Sequence, residues 1–406
     1  MSEVAHTPQL RFPEFSDNWE EKKLGNVTSI VMGQSPDSTS YNSNGIGLYL
    51  IQGNADIKKR KTLPRVWTDT PTKECKVGDI IMTVRAPVGA VAKSIHNACI
   101  GRGVCAIRNN QHSVSNYIYQ FLLSFEKKWV KFEQGSTFTA VNTKDVKSLK
   151  LILPPVQEQT KIAAFLTAVD NKIEQLSKKQ ELLGEYKKGL MQQIFSQAIR
   201  FKANDGSDFP DWEEKKLGDL SVVISDGNYG ELYPTSSDFK LTGVPFLRAN
   251  NIKSLKIDGT DTKYITEEQH SLLTSGHLQT NDILITTRGV LGNLAIVEST
   301  HNGSNINAQI CLLRVTNTSE LNHFYLLFVL DHRDSKKQYK AFETGTALKQ
   351  LPKGNLRKIK LKLPTLFEQN KIANFLSSID TKIEQVDKQL DESKQFKKAL
   401  LQQMFV

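Results

Sequence analysis

The chain is poor in the residues that would commit it to several kinds of chemistry. It has four cysteines, Cys75, Cys99, Cys105 and Cys311, with no C-x-x-C pair and no histidines at ligand spacing beside them. That excludes a zinc ribbon or finger and makes a reducing cytoplasm the expected compartment. Apolar runs are short and strand-like, as in Leu48–Ile51, and none approaches the roughly 18 residues of a membrane span. The opening "MSEVAHTPQLRF" lacks a basic-then-apolar export pattern. No G-x-x-x-x-G-K-[ST] phosphate loop and no N-P-P-[FY] methyltransferase run occur; "LPPV" at Leu153–Val156 has the prolines without the asparagine. The eight histidines are scattered, and no acidic cluster has the look of a nuclease or a paired-carboxylate site. These absences argue against an enzyme and against a metal site. What remains is a chain of 406 residues with a formal charge of +10, an excess that suits a polyanion.

What is present is present twice. "WEEKKLG" stands at Trp19–Gly25 and again at Trp212–Gly218. "LPPVQEQTKIAAFLTAVDNKIEQ" (Leu153–Gln175) returns as "LPTLFEQNKIANFLSSIDTKIEQ" (Leu363–Gln385). Between these landmarks "DIIMTVRAPVG" (Asp79–Gly89) matches "DILITTRGVLG" (Asp282–Gly292), and the offset grows from 193 to 210 along the copy. The extra residues are spread between shared strands. Two copies therefore share a scaffold and differ in their loops, where binding specificity usually sits.

Each copy has two textures. The first alternates short β-rich runs with Gly, Asn, Asp, Ser and Pro, and predicts a mostly β domain with a few helices, one of them within Ser113–Gly135. The second is a helix of about 35–40 residues that begins after Pro154–Pro155 or Pro364. Ile162, Leu166, Val169, Ile173, Leu176, Gln180 and Leu183 form a heptad seam in the first helix, interrupted only by Gly184. Ile372, Leu376, Ile379, Ile383, Val386 and Leu390 form the second seam. Pairing the two seams antiparallel hides both. "RFPEFSDNWEEKKLG" (Arg11–Gly25) repeats as "RFKANDGSDFPDWEEKKLG" (Arg200–Gly218), so the N-terminal segment is what would follow the second helix if the chain were a circle. The expected fold class is α+β: two mostly β domains separated by two long antiparallel coiled-coil helices in a pseudo-twofold, circular repeat. The expected boundaries are 1–18 for the completing segment, 19–152 and 200–362 for the β domains, and 153–199 and 363–406 for the helices.

The two helix entries, the two "WEEKKLG" starts and the order β domain, helix, β domain, helix resemble the specificity subunit of type I restriction–modification enzymes over nearly the whole chain. The resemblance implies two target-recognition domains, each reading half of a split DNA sequence, with the helices as spacer and docking platform. It implies double-stranded DNA, methyltransferase subunits (two of them) and restriction/translocase subunits as partners. S-adenosylmethionine, ATP and Mg²⁺ would then belong to those partners, with no cofactor in this chain. A non-enzymatic coiled-coil adaptor whose β domains bind protein or glycan is the alternative reading.

Matched positions that differ between copies are the candidates for base contacts. Arg85 and Arg288, identical in the two copies, stand in matched T-x-R turns and read as a phosphate contact or a groove-facing guanidinium, while Gln52 and Asn54 match Arg248 and Asn250, side chains with groove-reading chemistry. Gln34, Ser35 and Tyr41 lie in the loop "MGQSPDSTSYNS", and Asn228 and Tyr229 in its counterpart "SDGNYGELYPTSS". Gly135 and Ser136 correspond to Gly345 and Thr346, where glycine would let backbone N–H groups approach a phosphate. The basic run Lys58–Lys61 is a further, lesser candidate. Trp19 and Trp212 are read as packing anchors. The repeated Glu158–Gln159 and Glu368–Gln369 at the helix starts are candidates for partner docking, beside their favourable place at a helix N-terminus.

Overall fold

The computed structural model describes residues 7–133, 140–230 and 233–405, with the side chains of 130–133 excepted. Two compact units account for it. The first comprises Met1–Lys178 with Asp387–Val406, and the second Lys179–Val386. Each unit thus takes part of both long helices, which run unbroken over Val156–Phe195 and Leu366–Gln403.

The first unit holds two large sheets beside the two-stranded pair 20–23 and 150–153. One orders its strands 28–32, 104–109, 80–83, 91–93, 61–62, 57–58; the other 41–42, 66–68, 48–51, 98–100, 74–75. The apolar run Ile80–Met82 explains the layering. Ile80 and Met82 face a core shared with the helix Ser115–Glu133 and the long helices, while Ile81 faces the core between the sheets. A strand buried on both faces reads as a continuous apolar run. The second unit repeats this: Ile283 and Ile285 face the helix side and Leu284 the inter-sheet side. Its sheets are smaller, 222–226, 310–315, 283–286, 294–296 and 263–265, 244–247, 305–306. The helix matching Ser115–Glu133 is broken in two, His323–Asp331 and Arg333–Phe342.

Within each unit the long helices pack antiparallel. Ile162 and Leu166 meet Leu400 and Met404 in one core; Met191 and Phe195 join Ile372 and Leu376 in the other. Gly184 leaves its helix intact, with open space where a Cβ would stand. The circular reading has a physical counterpart. The Leu10 N–H donates to the Gln403 carbonyl at 2.9 Å, so the N-terminal segment begins where the second helix ends. Phe12 then packs edge-on against Phe165, as Phe201 does against Phe375.

Candidate DNA interface

In each unit one strand-to-strand turn gathers three neighbouring loops. In the first unit it is Gly101–Val104, closed by the Val104 N–H donating to the Gly101 carbonyl at 3.1 Å. The Gln34 N–H donates to Ile100 O at 2.8 Å, the Gly101 N–H to Ile51 O at 2.8 Å and the Val84 N–H to Gly103 O at 2.9 Å. The ends of strands 28–32, 48–51 and 80–83 are thereby pinned round one turn. Glycine is required where these backbones cross: a Cβ on Gly33 would lie 2.1 Å from Gly101 O, and one on Gly103 2.1 Å from Gln52 O. Gln34, Ser35, Gln52 and Arg85 are brought together here. Gln34, Gln52, Asn54 and Arg85 are exposed. Tyr41 stands apart, paired with Thr68 and donating its hydroxyl to Pro36 O at 3.3 Å.

The second unit builds the same junction round Asn307–Ile310, with the Thr287 N–H donating to Gln309 O at 2.8 Å and the Asn307 N–H to Leu247 O at 2.9 Å. Arg288 lies over the Tyr229 ring, 4.9 Å from guanidinium carbon to centroid, and donates to its hydroxyl at 3.1 Å. The Tyr229 hydroxyl in turn donates to Ala308 O at 3.3 Å. Burial and nearby Asp226 raise the Tyr229 pKa, with Arg288 opposing, so the phenol stays protonated. Gly345 (φ +85°) and Thr346 occupy an exposed tip whose strand residue Gln350 bridges to Arg288. Gly135 and Ser136, their expected counterparts, lie outside the described residues.

Three groups of candidates have partners inside the chain. Asn228 is buried: its amide group donates to Asn305 Oδ1 at 3.1 Å and its carbonyl oxygen accepts from the Ser275 N–H at 3.1 Å. It holds its loop rather than facing a ligand. Arg248 and Asn250 both donate to Asp261, at 2.6 and 3.2 Å, which ties their side chains to one carboxylate. Lys58–Lys61 forms a hairpin tip in which Arg60 pairs with Glu126 and Lys61 with Glu174, which ties the hairpin to helices.

The four residues proposed for docking are fully engaged within the chain. Glu158 receives Arg11 Nε and Nη2, both at 2.8 Å, and the Trp19 indole N–H at 3.1 Å. Glu368 receives Arg200 Nε at 3.2 Å, Nη2 at 2.8 Å and the Trp212 indole at 3.0 Å. The carboxylate raises the pKa of each arginine, chiefly through these hydrogen bonds. Gln159 accepts from the Val114 N–H and donates to His112 O and Pro154 O; Gln369 does the same with Asn322, Glu320 and Pro364. Both glutamate side chains have no exposed surface. They form a lock joining each β domain to its helix. Trp19 and Trp212 act as the anchors that the sequence suggests.

Sequence reasoning missed Arg102, exposed at the tip of Gly101–Val104. The "GRG" between two apolar runs is a turn signal that could have found it. Among the described residues no three metal-ligating side chains cluster, and no helix is long and apolar enough to cross a membrane.

A duplicated module of paired sheets, loops gathered at one junction and a long helix is the architecture of a two-domain specificity protein. The chain belongs to the family of the type I restriction modification DNA specificity domain, which matches residues 16–183 and 210–393, once in each copy. Its general role is that of a DNA-binding specificity subunit. It is 38% identical over 192 residues to a provisionally named MjaX type I restriction enzyme specificity subunit of Methanocaldococcus jannaschii, covering 47% of this chain and 45% of that protein. It is 23% identical to the MjaVIII specificity subunit of the same organism, covering 97% and 92%. The EcoBI specificity subunit of Escherichia coli is 20% identical, over 93% and 82%. The crystal structure of a type I system S subunit from M. genitalium shares the fold, with a TM-score of 0.66 at 19% identity over 98% of this chain and 99% of that one.

Proposed function

We propose that this chain aims a type I restriction–modification assembly at a bipartite DNA site, each unit reading one half through its loop junction. The observation that carries this is the pairing of one scaffold with two differently furnished junctions: beside the shared Arg85 and Arg288 stand Gln34 and Gln52 in one unit and Tyr229 in the other. Positions identical in both units cannot distinguish two half-sites; positions that differ at the same place can. Exposed arginines supply phosphate or guanine contacts, and glutamine and asparagine the adenine contacts. Methylation is assigned to partner methyltransferase subunits, two per chain, and cleavage to restriction/translocase subunits. The partner's chemistry requires the target adenine to leave the stack, a step for which this chain supplies the address and not the reaction.

The test is a domain exchange. Residues 213–360 are replaced by the corresponding segment of another member, and the methylated motif is read by methylome sequencing beside the parent. One half of the motif should change and the other should keep its bases. A change in both halves together would overturn independent reading by the two units.

A further inference from the structure

The chain has twelve arginines. Among the described residues eight of them meet a carboxylate: Arg11, Arg60, Arg65, Arg108, Arg200, Arg248, Arg314 and Arg333. Arg85, Arg102, Arg288 and Arg357 have no such partner there. Three of these four lie at the loop junctions, where an internal carboxylate would compete with a nucleic acid for the guanidinium.

The two junctions are not furnished alike at their centres. The turns correspond in sequence through their following strands, Val104–Asn109 and Ile310–Val315, which puts Arg102 opposite Ala308, and the strands paired with them, Thr28–Met32 and Val222–Asp226, put Ser35 opposite Tyr229. In the second unit Tyr229 reaches the carbonyl of the small residue at the turn, and Arg288 stacks on that ring. In the first unit the hydroxyl of Ser35 instead accepts the Arg102 backbone N–H at 3.2 Å, and the Arg102 side chain at the tip is exposed. The side chain that would occupy the middle of the junction comes from a neighbouring loop in one unit and from the turn itself in the other. Arg102 also sits on a backbone pinned by its neighbours. Gly101 and Gly103 flank it, and the turn is bonded to the loops on three sides. A planar five-donor fork on a fixed backbone loses little freedom when it engages a flat acceptor pair.

We propose that Arg102 is a base-reading residue of the first unit, taking the O6 and N7 acceptors of a guanine in its half-site, and that it does there what the Arg288–Tyr229 pair does in the second unit. This rests on the reading that each unit addresses one half of a split DNA site. Guanine is the base that offers two acceptors side by side in the major groove, the pattern a guanidinium fork matches.

The experiment uses the full chain assembled with its methyltransferase partner. The parent's methylated motif supplies the probe duplex, and the domain exchange assigns one half of that motif to the first unit. Binding is then measured for the parent, Arg102→Ala and Arg102→Lys on the motif duplex and on duplexes with each guanine of that half replaced. Both variants should lose about tenfold or more of the discrimination at one guanine and keep it everywhere else. Arg102→Lys should retain the parent's affinity for random duplex, since its charge is kept. A loss that is equal on every duplex, with a shallower salt dependence in Arg102→Ala alone, would identify a phosphate contact and overturn base reading. So would unchanged discrimination, or a half-site without guanine. A parent complex that fails to bind its motif duplex would overturn the broader reading as well, and is distinguished by being seen before any variant is made.

Discussion

Replacing Glu368 by glutamine should expose how much the lock at the helix start contributes. The carboxylate has no exposed surface and accepts three hydrogen bonds, two from Arg200 and one from the Trp212 indole. Glutamine has nearly the same volume but one acceptor oxygen, and its NH₂ would face a guanidinium. One or two charge-assisted bonds are lost, each worth about 1.5–3 kcal/mol net. Arg200 keeps 22% of its side chain exposed, so water recovers part of the cost. A loss of about 2–3 kcal/mol is the resulting expectation, below the 3–5 typical of a wholly buried pair. For a cooperative unit of about 200 residues this lowers the transition by about 5–10 °C. Differential scanning calorimetry on the full chain is the assay. Glu368→Gln should lower one transition and Glu158→Gln the other, because each lock lies within one unit. Adding Arg200→Met to Glu368→Gln should cost less than the sum of the two changes, since the orphaned cation is then gone. Strict additivity, or a shift within about 1 °C, would show that the carboxylate is not the joint described above.

Two further expectations concern the second unit. Lys187 and Asp380 pair across the helix seam at 2.6 Å, with side chains 12% and 31% exposed. Burial holds the Asp380 carboxyl above its ordinary value despite Lys187, so the folded state binds that proton more tightly and this residue's contribution falls as pH rises through the raised value. Lys187→Met alone should cost about 2–3 kcal/mol in urea melts, while Lys187→Met with Asp380→Leu should return to within about 1 kcal/mol of the parent; a double variant as weak as the single would refute this. His270, His323 and His332, all in the second unit, are held below the ordinary histidine value, mainly by burial. Their unfolded forms take up protons first, so that unit's transition should fall as pH drops from about 6.5 towards 5. Calorimetry at pH 7 and pH 5 should show the fall shrinking in the His270→Gln, His323→Gln, His332→Gln triple variant, and an undiminished fall would exonerate the histidines.

What could be read in the sequence and what could not divide along physical lines. The layered scaffold was legible because its demands are local and periodic. Ile80–Met82 is apolar throughout because both faces are buried, and the helix seams repeat by three and four. The duplication made this stronger, since Trp19, Glu158 and Gln159 recur as Trp212, Glu368 and Gln369. Repetition alone does not say what a residue does. A glutamate under an indole and a guanidinium reads in sequence like one presented to a partner, and only its burial separates the two. The junction was half legible for a related reason. Arg85 and Arg288 share a motif, which makes them candidates from the sequence alone. The partners that decide other candidates are distant in the chain: Ser275 lies 47 residues from Asn228, and Asp261 lies 13 residues from Arg248. Arg102 has no repeated counterpart, because Ala308 stands in its place. The same backbone bonds that fix the turn in both units leave its tip free to differ. A Cβ on Gly33 would lie 2.1 Å from Gly101 O and one on Gly227 2.2 Å from Asn307 O, and that close approach fixes the strands whatever the tip carries. A scaffold whose register depends on backbone contacts and buried locks can exchange the side chains at its junctions without changing its fold, which is the property a DNA-reading surface needs in order to acquire a new address.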